Sequence, residues 1–123
     1  MSNRMLIVDD ALIMRKRIRD IATRAGWIVV GEAANGAEAL EFYAREKPDL
    51  TTLDIVMPEM DGVTALKRIR ESDPSARVVM ISAVDQREKL TECIQAGALD
   101  FIVKPFDAKR LASFFDKYLV PST

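Results

Sequence analysis

Five short runs of apolar, β-favouring residues recur along the chain, with a longer amphipathic stretch after each. The runs are RMLIV (4–8), WIVVGEA (27–33), DLTTLD (49–54), ARVVMIS (76–82) and DFIVK (100–104). Strands separated by helices do not close as hairpins; they pair in parallel through crossovers. The crossovers are right-handed, which sends helices to both faces of one sheet. The expected fold class is therefore α/β, a five-stranded parallel sheet covered on both sides. At 123 residues the chain suffices for one domain, residues 1–123.

The intervening stretches show helical spacing. ALIMRKRIRDIATRA (11–25) places Met14, Ile18, Ile21 or Ala22, and Ala25 on one stripe, and Gly26 ends it. NGAEALEFYAREK (35–47) directs Ala37, Leu40, Tyr43 and Ala44 inward and stops before Pro48. GVTALKRIRES (62–72) groups Val63, Leu66 and Ile69. Asp85 and Glu88 have capping-box spacing for a helix that buries Leu90, Cys93 and Ile94 and closes at Gly97. Asp107 caps a last helix with Leu111, Phe114 or Phe115, and Tyr118 on its face.

Composition removes several function classes. A net charge of −1 gives no reason to expect nucleic acid or an anionic membrane as partner. The apolar runs are too short for a membrane span or a signal-peptide core. A single cysteine, Cys93, forms no intrachain disulfide and fits a reducing cytoplasm. The absence of histidine excludes Ser-His-Asp and Cys-His catalysis and most zinc sites. It also excludes the phosphohistidine role in a phosphate relay. With no linker or repeat, and four residues after Leu119, any output is expected from this domain's own surface.

Ligands of open parallel sheets bind at the carboxyl ends of the strands. The first strand ends in Asp9-Asp10, the third in Asp54, the fourth in Ser82-Ala83 and the fifth in Lys104-Pro105. The second ends in Glu32-Ala33 and is expected to contribute nothing. Each residue alone has a plainer role: Asp9 or Asp10 as a helix cap, Asp54 as a turn acid, Ser82 as a cap, Lys104 as a solvated lysine. Together they form a set of complementary charge. A carboxylate can act as nucleophile and become an aspartyl-phosphate. Crowded acids repel one another, and a Mg²⁺ ion, which prefers oxygen ligands, relieves this. Lys104 supplies positive charge to phosphoryl oxygens and Ser82 a hydrogen bond, which is most of what phosphoryl transfer requires.

On LIVDD, EAANGAEAL, PDLTTLDIVMPEMDG, VVMISA and GALDFIVKPF, the chain resembles the receiver domain of two-component response regulators. The likeness covers roughly residues 4 to 119 and is greatest to the single-domain chemotaxis kind. It implies a doubly wound, flavodoxin-like sheet of order 2-1-3-4-5. It implies Asp54 as phosphoacceptor, with Asp9, Asp10, Asp54 and the Val56 carbonyl as Mg²⁺ ligands. Ser82 and Lys104 contact the phosphoryl group, Pro105 follows a cis bond, and Phe101 with Ala83 forms the switch. Val56 and Val84 stand where polar relatives orient a water, and Phe101 carries no hydroxyl. The implied partners are a histidine kinase as donor and a downstream protein, such as the flagellar motor switch, docked on helix 4, strand 5 and helix 5.

Such a protein is a cytoplasmic signalling switch that assists its own phosphorylation and dephosphorylation, not an enzyme. A phosphorelay intermediate is one alternative. A Mg²⁺-dependent aspartyl phosphatase is another, but its second acid would stand at position 56, where Val56 lies. A nucleotide or flavin module needs a Gly- or hydroxyl-rich loop after the first strand, and this chain has DDALIM. A receiver-like scaffold that is never phosphorylated is opposed by the intact acid, hydroxyl and lysine set.

Overall fold

The computed structural model describes residues 3–121. The elements follow in the order β1 (Arg4–Val8), α1 (Leu12–Arg24), β2 (Ile28–Ala33), α2 (Gly36–Glu46), β3 (Leu50–Leu53) and α3 (Gly62–Ser72). Then come β4 (Val78–Ala83), α4 (Arg87–Gln95), β5 (Asp100–Lys104) and α5 (Ala108–Asp116). All strand pairs are parallel, in the order β2-β1-β3-β4-β5. The expected α/β class and strand order are both present.

Alternation along the strands divides the core in two. Leu6, Val8, Leu53, Val78 and Met80 pack with Tyr43, Leu66, Ile69, Leu90 and Cys93 from α2, α3 and α4. Met5, Ile7, Val79, Ile81 and Ile102 pack with Ile18, Ala22, Leu111 and Phe115 from α1 and α5. Trp27 joins this second layer, and its indole N–H donates to the Phe115 carbonyl at 3.2 Å. Burial pushes the Cys93 thiol up to about 11, so the cysteine is inert filler.

Four local expectations are corrected. In α2 the buried face is Gly36, Ala39 and Tyr43, while Ala37 and Ala44 are exposed. Two larger groups set this phase. Tyr43 donates to Asp73 at 2.7 Å, and the Phe42 ring lies where a Cβ on Gly31 would be 2.7 Å away. The Asp85–Glu88 capping box does not form. A 3-10 turn over Val84–Gln86 takes up Asp85, and Gln86 stands at the helix cap without a side-chain bond. Ile94 is 43% exposed because Leu90 and Cys93 already fill the inward face of α4. Tyr118 lies beyond α5, half-buried, with its hydroxyl donating to Asp100. The expected cap at Asp107 forms, and Asn35 and Asp61 likewise accept an amide at the start of their helices.

Thr51 and Thr52 are buried mid-strand, and their hydroxyls have no hydrogen-bond partner among the described residues. An unsatisfied buried hydroxyl costs free energy, and an apolar group of the same shape relieves it. Thr51→Val is therefore expected to stabilise the protein by about 1 kcal/mol. The urea midpoint reads this, and a lower midpoint in the variant would contradict it.

Candidate functional site

Register brings the acids together. Val8 lies opposite Leu53 on β3 and Ala33 on β2. One residue further on, the ladder continues, with Asp54 N–H donating to the Val8 carbonyl at 3.0 Å and Asp9 N–H to Ala33 at 3.0 Å. Asp9 and Asp54 thus leave neighbouring strands at the same level. The Asp9 carboxylate is 1% exposed and held at both oxygens, by Ala11 N–H at 2.9 Å and Lys104 Nζ at 2.8 Å. Lys104 Nζ also donates to Asp54 Oδ2 at 3.3 Å. Asp10 is exposed at the rim. One carboxylate oxygen from each of Asp9, Asp10 and Asp54 lies within 4.8 Å of the others.

Lys104 reaches the acids from β5, two strands away from β3, where it pairs with Ala83. The Lys104–Pro105 bond is cis, as the family resemblance implies. Ser82 closes the buried end of β4, and its hydroxyl has no hydrogen-bond partner among the described residues.

The electrostatics are those of crowded charge at low exposure. Burial pushes the Asp54 carboxyl above its ordinary value; Lys104 opposes this, and the charge of Asp9 adds to it. Burial works against the Lys104 ammonium, but its bond to Asp9 and the fields of Asp54 and Asp9 together lift it above the usual lysine value. Lys104 is therefore a fixed cation rather than a nucleophile or base. Three hard oxygen donors beside one ammonium and an orphaned hydroxyl suit a small divalent cation and an anionic oxyacid group.

The structure places the remaining expected residues as follows. Val56 is 53% exposed at the mouth, and its carbonyl accepts no hydrogen bond among the described residues. Ala83 is exposed beside the cluster. Phe101 is 42% exposed and turned outward, where it lines a groove with Leu90, Ile94 and Val103. The side chain of Val84 lies outside the described residues.

Two contributions were not read from the sequence. The first is Gly62, at the start of α3. A Cβ there would lie 2.0 Å from the Asp54 carbonyl oxygen, and its N–H donates to Ile55 at 2.7 Å. The signal was the glycine in MDGV, at a helical position that otherwise disfavours it. The second corrects the expectation for β2. Glu32 binds Arg15 at 3.2 Å, and Arg15 donates to the Asp9 carbonyl at 2.7 Å, so β2 is linked to the site through α1.

Comparison with known proteins agrees with this arrangement. The family described as response regulator receiver domain matches residues 5–116. The chemotaxis protein CheY of Bacillus subtilis is 54% identical, across 97% of this chain and 99% of that protein. The chemotaxis protein CheY of Thermotoga maritima is 50% identical, across 95% of this chain and 98% of its own length. Among solved structures, CheY in a CheX-CheY-BeF3-Mg complex from Borrelia burgdorferi superposes with a TM-score of 0.89 at 39% identity, covering 96% of this chain and 90% of that one. The response regulator domain of Thermotoga maritima CheB superposes with a TM-score of 0.83 at 34% identity, covering 96% and 94%. In sequence, strand order and the placement of acids and lysine at one sheet edge, the chain belongs to the response regulator receiver family.

Proposed function

We propose that residues 1–123 form a stand-alone chemotaxis response regulator, switched by Mg²⁺-dependent phosphorylation of Asp54. The observation that carries this reading is the buried Asp54 carboxylate, flanked by Asp9 and Asp10 and bonded to Lys104. High identity to CheY proteins along almost the whole chain supports the chemotaxis assignment. A relative of this fold has been solved with BeF3 and Mg.

Asp9, Asp10, Asp54 and the Val56 carbonyl would hold the cation. When bound, Mg²⁺ would neutralise the crowded carboxylates and the incoming phosphoryl oxygens. Asp54 Oδ attacks phosphorus of the donor; the new O–P bond forms as the P–N bond to the kinase histidine breaks, and the imidazole leaves with a solvent proton. Lys104 lies on Asp9 and Asp54 and is placed to shift onto a phosphoryl oxygen. Ser82 supplies an uncommitted hydroxyl to another. Positioning and charge are the chain's contribution to this transfer.

Phosphorylation biases a two-state surface. A hydroxyl drawn to phosphate would pull Ser82-Ala83, and Phe101 would turn inward beside Ala83. The groove between α4 and β5 would change shape for a downstream protein, a flagellar motor component or another effector. CheX is the partner named for the Borrelia relative. No helix among the described residues is long and apolar enough to cross a membrane, which is compatible with a cytoplasmic location.

Incubation with acetyl phosphate and Mg²⁺ should add one phosphoryl group by intact mass, and excess chelator should suppress it. A chain that stays unmodified with saturating donor and metal would refute the proposal.

A further inference from the structure

We propose that Arg15, tied down by Glu32, is a positioning residue that fixes where the Asp10 carboxylate stands. The inference rests on the reading of Asp9, Asp10 and Asp54 as the cation site. Asp9 needs no further help, since both its oxygens are bonded. Asp10 is different. It is exposed, and its carboxylate accepts no hydrogen bond among the described residues. Where it can reach is therefore set by where its backbone stands and by its own rotamers.

That backbone is held at both of its peptides. The Asp9 carbonyl and the Asp10 N–H and Cα share one planar peptide unit. Arg15 Nη1 donates to the Asp9 carbonyl at 2.7 Å, which fixes the rotation of that plane. On the other side of the same residue, Asp9 N–H is bonded to Ala33 of β2. The peptide after Asp10 is held separately, by Ala11 N–H bonded to Asp9 Oδ1 at 2.9 Å, so Arg15 acts on the peptide before it.

A single arginine on a helix would swing. Arg15 is held at a second point, since its Nε is bonded to Glu32 Oε1 at 3.2 Å, and the side chain is only 14% exposed. Glu32 in turn is held through its other oxygen by Arg19 at 2.8 Å. The planar guanidinium fork is what allows one side chain to reach a carbonyl and a carboxylate at once. Such partners behind metal ligands typically change metal affinity by about 10–100-fold when removed.

The test is calorimetric titration of the full chain with Mg²⁺ alone, without phosphodonor. Arg15→Met should raise Kd at least about tenfold. Arg15→Lys, whose ammonium reaches one acceptor rather than two, should fall between, and Glu32→Gln should raise Kd in the same direction. Lys67→Gln, which breaks an exposed ion pair with Glu92 and none of these contacts, should stay within about twofold of wild type. Urea midpoints on the same proteins separate loss of stability from loss of affinity. A folded Arg15→Met that binds Mg²⁺ with wild-type Kd overturns the proposal. Should Arg15→Met not fold, wild-type Kd in both Arg15→Lys and Glu32→Gln overturns it equally. A wild-type chain that binds no Mg²⁺ overturns the cation site itself, and this inference with it.

Discussion

Asp54→Asn is expected to take up no phosphoryl group from acetyl phosphate, with Mg²⁺ present and the fold intact. The amide oxygen is a poor nucleophile and forms no stable acyl phosphate, whereas the carboxylate does. Asp9 does not substitute, because it is locked between Ala11 and Lys104 and is 1% exposed. The same variant should be more stable than wild type in chelator at pH 7. Burial, with the charge of Asp9 added and Lys104 opposing, raises the Asp54 carboxyl above its free value of 3.8. The folded protein therefore holds this proton more tightly than the unfolded chain. Its stabilising contribution is complete below the free value and is lost as pH rises through the folded value. The advantage of Asn should thus shrink as pH falls towards 4. Urea melts at the two pH values check the sign. Phosphoryl uptake that persists in Asp54→Asn would move the acceptor elsewhere. A less stable variant at pH 7 would show that Lys104 outweighs the desolvation.

The site was legible because parallel sheets send every strand's carboxyl end to one edge. Asp9, Asp54, Ser82 and Lys104 needed only their strand assignments to be placed together, and the strand boundaries follow from apolar runs. What stayed hidden depended on rotation and register. Ala37 and Ala44 fit a helical stripe as well as Ala39 does, and alanine has too little side chain to fix the phase of α2; Tyr43 and Phe42 fix it. Asp85 and Glu88 have the spacing of a cap, but the chain leaving β4 tightens first into a 3-10 turn. Arg15 and Glu32 lie 17 positions apart. Their pairing follows only once β2 is set beside β1, with Glu32 opposite Ile7. Glu32 was therefore a strand-end acid with no visible task, although the strand-end rule pointed at it.

Gly62 is the position where the smallest substitution should have the largest structural effect. The atoms that a Cβ would meet are the Asp54 carbonyl oxygen at 2.0 Å, the Asp54 carbonyl carbon at 2.8 Å and Ile55 Cα at 2.8 Å. All three are backbone, so no side-chain rotation relieves the clash. The N–H of Gly62 is also bonded to Ile55 at 2.7 Å, which draws α3 onto the segment just after the phosphoacceptor. Gly62→Ala must push α3 and Asp54 apart. Overpacking of this kind costs about 1–3 kcal/mol, occasionally more. The displacement falls on the nucleophile itself, and a misplacement of about 1 Å can lower a rate by about a hundredfold. Phosphorylation by acetyl phosphate should therefore slow by about that factor, beyond what loss of folded protein explains. Gly31→Ala supplies the comparison. Its Cβ would meet the Phe42 ring at 2.7 Å, a side chain rather than the backbone of the phosphoacceptor. That variant should lose stability but keep the wild-type rate per folded molecule. Equal rates in the two folded variants would show that Gly62 serves packing alone and leaves Asp54 where it was.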